Sequence, residues 1–354
     1  VFNYICIYNK FFMEEKYQII DNRFLKDFKD KTFSGYKKKE VINILFKSLD
    51  TNKIENACNW ITECIISGYT FKIWEKILLY AFKTIHINNP QLPAFLLNKN
   101  IILFNQFKRL NTNNKDIVLI LRNSQMIRNL FFDVITTLCC SSKTKKYDKL
   151  PKITNDDFDF QKIRSRLCAT MILLPDGIIH FNDPEELKIF INEFYFNLKN
   201  PLVGYDKCCY WVLWLVKWEA LHKQKKNCWQ VDMRDVPLKD KLKSDIIWII
   251  WDCIYEELKL RVKNNIKNIK LIEKQIISLK KLFMNNYSSG KRNSRLPYVF
   301  LAIGFLTLDI KTFPPIRKNI KIFIQSQNNV NKMFLAKKIS EINNTPIIKE
   351  VNKK

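Results

Sequence analysis

Three features of the chain predict an all-α protein, a multi-helical array of helical hairpins. Apolar residues recur at steps of three and four through most of its 354 residues, the spacing of one helix face. β-type alternation is almost absent, and glycine occurs only six times. Between Ile54 and Pro93, two helical segments and their stops are both legible, so this hairpin is the unit around which the rest is ordered.

Residues 1–12, VFNYICIYNKFF, precede Met13, the expected start of the protein; they are too few for a signal peptide and carry no cleavage pattern. Met13–Gly35 is amphipathic through Phe24, Leu25 and Phe28. Lys37–Leu49 is a helix with Val41, Ile44, Leu45, Phe46 and Leu49 inward, and Asp50–Asn52 turns the chain. In the hairpin, Ala57, Trp60, Ile61, Cys64 and Ile65 share the first face, and Gly68 supplies the left-handed geometry of a helix end. Thr70 is placed to cap the second helix. Its inner face is Phe71, Trp74, Ile77, Leu78, Ala81 and Phe82, and Asn89-Pro90 stops it. The framework residues of this stretch are Trp60, Gly68, Trp74 and Pro90. Ala94–Leu110 is helical, Asn111–Asn114 interrupts, and Ile117–Leu121 and Met126–Leu138 resume with Ser124 as a cap.

Ser141–Asp159, polar and charged with one proline, reads as a linker between an N-terminal helical domain (1–140) and a Trp-rich helical domain (160–330). The latter opens with Phe160–Leu174, turns at Pro175–Gly177, and carries one short β element at Ile178–Phe181. Asp183-Pro184-Glu185-Glu186 is a helix start, with a cap, a proline at the first position and acids in the first turn. Asp206–His222 sets Trp211, Trp214 and Trp218 on one face, and Asp245–Glu257 does the same with Trp248, Trp251 and Tyr255. These aromatic faces are expected to bury together or against neighbouring helices. Lys223–Lys243 is a charged loop, Lys259–Phe283 one long helix with a cationic face, and Ser288–Arg295 a basic loop. Leu296–Ile310 is the longest apolar run, too short to span a membrane, and reads as a core helix in a soluble chain. Residues 331–354 form a basic helix and frayed tail.

The formal net charge is +26. From Lys259 onward there are 21 Lys/Arg against 4 Asp/Glu, so +17 of it lies in the last 96 residues. An AT-rich genome would also enrich Lys, Asn and Ile, so a solvated lysine surface stands beside a polyanion-binding one. The asymmetry favours an anionic partner. Ten cysteines without CxxC spacing read as buried thiols in a reducing compartment, and three histidines make a zinc site an unpromising reading.

No GxxxxGK[ST] or GxGxxG occurs, which argues against an NTPase, and no Ser or Cys sits in a glycine-rich elbow. His86 reads as a packing residue at a helix end that suits a partly charged imidazole; His180 and His222 offer no better base. Asp232, Asp235, Asp240, Asp245 and Asp252 are the only acids concentrated enough for a diverged metal-dependent nuclease, and read mainly as loop charges and a helix cap. No catalytic residue, metal or cofactor is expected. The constructive signal is cationic: Lys259, Lys263, Lys267, Lys270 and Lys274 fall on one helical face, and Lys280, Lys281, Lys291, Arg292 and Arg295 extend it into a patch able to track phosphates. Base-specific readout has no visible support.

The spacing of Ala57, Trp60, Gly68 and Pro90 resembles the helical, collar-like region of clamp-loader-related AAA+ ATPases of replication-fork maintenance. The acidic stretch that family carries before its proline is replaced here by Lys83–His86, and the ATPase module is absent. The Ile/Asn/Lys bias and Trp-rich helices resemble proteins of nucleocytoplasmic large DNA viruses. Joined to the +17 of the last 96 residues, which carries the functional reading, they give the expectation of a non-enzymatic replication or genome-associated accessory protein of a large DNA virus, in the host cytoplasm or virion. Its partner would be nucleic acid, DNA ahead of RNA, or a nucleoprotein complex. The alternative is a virion scaffold protein acting through protein–protein contacts of its aromatic helices.

Overall fold

The computed structural model describes residues 15–110, 116–200, 204–224, 229–317 and 319–341. The segment 1–12 and Met13, the interruption at 111–114 and the final tail lie outside the described residues. In chain order the α-helices are α1 (Lys38–Asp50), α2 (Ile54–Ile66), α3 (Thr70–Tyr80), α4 (Leu92–Arg109), α5 (Ile117–Ile120), α6 (Gln125–Cys139) and α7 (Phe160–Arg166). They continue as α8 (Leu187–Lys199), α9 (Gly204–Gln224), α10 (Ile246–Lys263), α11 (Ile269–Met284), α12 (Arg292–Thr307), α13 (Ile320–Asn328) and α14 (Val330–Glu341). The fold is all-α. Among the described residues there is no β-strand, only isolated bridge residues such as the pair Lys31 and Lys37.

The chain forms two compact units, and they are interleaved rather than consecutive. Unit 1 is Val1–Leu78, Asn98–Lys143 and Pro315–Lys354; unit 2 is Leu79–Leu97 and Thr144–Pro314. The crossing at Lys143–Thr144 falls within the expected linker, but the rest of that linker belongs to unit 2. Both C-terminal helices belong to unit 1, although the sequence predicts α13 within the second domain and α14 as a separate basic helix before the tail.

In unit 1, α1 packs on α2, α2 on α6, and α6 on α13. Val41, Leu45, Leu49, Ala57, Ile61, Cys64 and Ile65 are fully buried at their helical spacing. Ile44, expected inward, is exposed. Gly68 ends α2 with φ +73°, and Ser124 caps α6 by accepting from the Ile127 amide. Thr70 opens α3 but does not cap it, because its buried hydroxyl has no hydrogen-bond partner among the described residues. Trp74 is buried and donates Nε1 to Asn100 Oδ1 at 2.9 Å. Trp60 is half-buried, edge-on to Tyr36 at 5.5 Å.

Buried polar contacts tie the returning C-terminal segment to unit 1. Arg317 reaches Asp133 at 2.6 Å, Ser326 shares a hydrogen bond with Thr136 at 2.7 Å, and Lys337 lies 3.0 Å from the fully buried Glu63. Burial alone would raise the Glu63 pKa; Lys337 and the Ser34 amide overrule it and hold the carboxyl below its usual value.

Unit 2 is built on α8 against α9 and on α10, α11 and α12. Its two Trp sets bury separately. Trp211, Trp214 and Trp218 gather around Phe190, with Trp214–Phe190 centroids 4.5 Å apart. Trp248 and Trp251 instead pack edge-on to Phe283 at 5.6 and 5.7 Å. Leu296–Leu306 lie in α12 and are buried throughout, so this run is a core helix. Among the described residues no helix is long and apolar enough to cross a membrane. Residues 178–181 are not a strand, and Phe181 is exposed. Asp183 does not cap a helix either: its carboxylate is taken by Arg234 and by the Asp232 and His180 amides, and α8 begins only at Leu187.

After Tyr80 the chain widens into a π-type turn over Ala81–Ile85, so the α-helix of the hairpin's second segment does not run on to Asn89. Pro90 is buried beyond this turn. His86 follows with φ +52° and ψ −129°, a sparsely populated conformation for a residue with a side chain.

Candidate nucleic-acid interface

The expected single helix over 259–283 is two helices joined by a turn. Asp245 starts α10 by accepting from the Ile247 amide at 3.1 Å, and the helix keeps a buried side through Leu258. Its last turn leaves the core, with Lys259, Leu260 and Lys263 exposed. Between the helices, Asn265 (φ +49°) and Asn268 (φ +64°) both adopt left-handed geometry, which asparagine tolerates better than most residues. α11 then buries Ile269, Ile276, Leu279, Leu282 and Phe283, which leaves Lys270, Lys274 and Lys281 on its exposed side. α10 and α11 pack on each other as a hairpin.

Lys263, Lys267, Lys270, Lys274 and Lys281 are exposed, with no ion pair among the described residues. Lys259 is exposed and reaches Glu256 at 2.5 Å. Lys280 is withdrawn: it lies 3.7 Å from Asp252 and 4.2 Å from the centre of the Tyr255 ring. Burial, with Lys259 acting in the same sense, holds its pKa below the ordinary lysine value. Lys291 is half-buried.

Arg292 and Arg295 do not belong to a basic loop. They open α12 and are buried. Arg292 lies between Glu219 and Asp245, 2.8 Å from the latter, and Tyr287 donates to the same Asp245 at 2.9 Å. Burial works against the guanidinium, but the two carboxylates outweigh it and raise its pKa. Arg295 donates to the Phe283 carbonyl at 2.5 Å. A buried arginine fixed between carboxylates is a structural strut, unavailable to phosphate. The expected ten-residue patch therefore narrows to the lysines of the hairpin.

The C-terminal charge is also divided. Residues 259–314 carry 12 Lys/Arg against 2 Asp/Glu in unit 2, and residues 315–354 carry 9 against 2 in unit 1. Exposed Leu260, Ile266 and Leu271 lie among the hairpin lysines.

Four of the five acids weighed for a nuclease are dispersed among separate basic partners, and Asp235 is exposed. Asp245 faces Arg292, Asp252 faces Lys280 and Arg234, Asp240 faces Lys243 and Asp232 faces His180. Among the described residues no three His, Cys, Asp or Glu side chains converge to hold a metal ion. The described cysteines are free thiols. Burial pushes Cys58 up to about 11 and Cys139 up to about 12, far from a nucleophilic thiolate at neutral pH.

His86 is buried, with Nε2 3.0 Å from the Tyr205 hydroxyl. Burial, reinforced by Lys146, pushes its pKa down to about 4, so it is a neutral packing residue rather than a partly charged helix cap. A cavity of about 370 Å³ beside Trp214 and Trp218 is otherwise apolar and aromatic, with Glu186 and His222 as its polar lining. It lacks the paired acids or Cys–His set that chemistry there would need.

Sequence reasoning missed one cluster altogether: Lys26, Lys29, Lys38 and Lys72 of unit 1, which line a common cavity. They come from separate segments and share no periodicity, so only the fold brings them together.

No protein-family model matches the chain, and no curated protein or solved structure matches it significantly.

Proposed function

We propose that the chain is a non-enzymatic nucleic-acid-binding protein whose binding surface is the exposed lysine side of α10–α11. The observation that carries this reading is the contrast within one stretch of sequence. Arg292, Arg295 and Lys280 are drawn into the fold, while five lysines of the hairpin stay exposed and without an ion pair among the described residues. Such an array engages phosphates by counterion release and carries no sequence information. In keeping with the resemblance to replication proteins and large DNA viruses, the partner would be DNA, and the role accessory to replication or to genome-bound complexes in the host cytoplasm or virion.

A scaffold role is the second reading. Its support from aromatic helices weakens, because Trp211, Trp214, Trp248 and Trp251 are buried within unit 2. What favours it is the exposure of Leu260, Ile266 and Leu271 between the lysines.

The test is duplex binding against salt concentration with the full chain. Truncation near Ser244 is unsuitable, since it would delete α10–α14 and with them core of both units. Five phosphate contacts predict a slope of log K against log salt of about −4.5. Salt-independent binding, or a slope unchanged by Lys267→Gln/Lys270→Gln/Lys274→Gln, would overturn the proposal.

A further inference from the structure

Unit 1 contains a cavity of about 530 Å³, within the range of small-molecule sites. Four lysines line it: Lys26 and Lys29 from the segment before α1, Lys38 at the first position of α1, and Lys72 in the first turn of α3. Lysine in a first helical turn opposes the helix dipole, yet here two helix starts each send one to the same cavity. Lys72 lies near enough to Lys38 for its charge to act on the Lys38 ammonium, which sits 4.2 Å from the centre of the Tyr69 ring. Among the described residues none of the four lysines is in an ion pair. Asp116, the acid of the lining, accepts the Leu25 amide at 2.8 Å. Burial first, and then Lys72, hold the Lys38 pKa below its usual value, with Asp30 opposing them. The site thus concentrates positive charge that a bound anion would relieve.

The remaining lining narrows the anion. Phe24 lines the cavity and is 56 % exposed, with the Lys26 ammonium 5.5 Å from the centre of its ring. Phosphate held by lysines next to a stacking ring is the recognition pattern of a nucleotide. We propose that this cavity binds a nucleotide, with Lys38 and Lys72, assisted by Lys26 and Lys29, on its phosphates and Phe24 against its base. The chain has no glycine-rich loop to cradle phosphate with backbone amides, so the phosphates would be held here by lysine side chains. It stands independently of the reading of α10–α11.

Titration calorimetry of the full chain with ATP, tripolyphosphate, and matched oligonucleotides bearing a 5′-phosphate or a 5′-hydroxyl tests the proposal. ATP binding is expected, weakened about 10-fold or more in Lys38→Gln/Lys72→Gln. Phe24→Ala is expected to weaken ATP about 5-fold and to leave tripolyphosphate unchanged. Preference for the 5′-phosphorylated strand assigns the ligand to a nucleic-acid end, and equal affinity for both strands assigns it to free nucleotide. If circular dichroism shows that the first lysine variant has not folded, Lys26→Gln/Lys29→Gln, altering exposed residues, is held to the same criterion. The proposal falls if neither ATP nor the phosphorylated strand binds, if the lysine variants bind unchanged, or if Phe24→Ala has no effect on ATP. It also falls if Lys267→Gln/Lys270→Gln/Lys274→Gln, which should keep ATP affinity within about twofold, removes ATP binding instead.

Discussion

The lysine hairpin of unit 2 and the lysine-lined cavity of unit 1 use one side chain in two ways. On the α10–α11 hairpin the lysines are exposed, with Lys263 at the end of α10, Lys267 in the turn, and Lys270, Lys274 and Lys281 on α11. In the cavity, Lys38 is half-buried over Tyr69 and meets a like charge from another helix. A water-exposed array acts at a distance and is screened by salt. A concave cluster acts through shape, and of its charges Lys38, which is half-buried, is the one less screened. Net charge alone does not distinguish the two, since a lysine in either place counts the same toward the +26.

The largest effect expected concerns a residue that belongs to neither site. Arg292→Met should destabilise unit 2 by about 3–5 kcal/mol, because it leaves Glu219 and Asp245 buried without their cation. Lys270→Gln, on the exposed side of the hairpin, should change stability by less than about 0.5 kcal/mol. Urea unfolding of the two variants measures both. Similar losses would mean that frame and surface are not separable as the geometry indicates.

Acid provides the second test, through a buried histidine that belongs to neither lysine cluster. His86 has a folded pKa of about 4, against an ordinary histidine value of 6.5. Since the folded value is depressed, the unfolded chain takes up the proton first as pH falls. The contribution is fully present above about pH 6.5 and is lost as pH falls through 4, amounting to about 3 kcal/mol. The difference in unfolding free energy between the wild type and His86→Asn should shrink over that window. Asn is chosen because it tolerates the positive φ of this position. Other carboxylates, such as Glu63, also lose stabilisation in acid, so the wild-type curve alone does not isolate His86. A difference that stays constant with pH would refute the assignment.

Gly68 sharpens the cavity side of the comparison. A Cβ there would stand 2.8 Å from side-chain atoms of Leu25 and Leu119, and φ is +73°. The leucine tips can shift, so the backbone conformation dominates, and Gly68→Ala should cost about 1.5 kcal/mol. Because Gly68 and Leu25 both line the cavity, ATP affinity should fall while the salt slope of duplex binding stays unchanged. Loss of both together would show that the variant had simply unfolded.

Much of this architecture was legible because apolar spacing reports burial. Trp74, Trp248 and Trp251 are where their helical phase puts them, and Gly68 and Ser124 close and open helices as their chemistry requires. The failures share a cause: a partner distant in sequence. Arg292 looked exposed because Glu219 and Asp245 lie far upstream, and Asp183 looked like a cap because Arg234 had not been placed beside it. The turn between α10 and α11 is a different case, since Asn264, Asn265 and Asn268 marked it openly but the cationic periodicity ran across them. The cavity had no sequence signature of any kind, because a periodicity describes one element and a cavity belongs to several.

The smallest structural perturbation carries the sharpest functional test of that distinction. Lys267→Gln/Lys270→Gln/Lys274→Gln removes three exposed charges that have no ion pair among the described residues, so stability should move by less than about 0.5 kcal/mol. The salt dependence of duplex binding should nevertheless flatten by about 2.7 in slope, close to one for each phosphate that the variant leaves unneutralised. Lys38→Gln/Lys72→Gln should leave that slope in place, since its lysines face a cavity and not an open helical surface. If the two variants flatten the slope equally, the lysines act only as a diffuse cloud of charge, and neither the hairpin nor the cavity is a site.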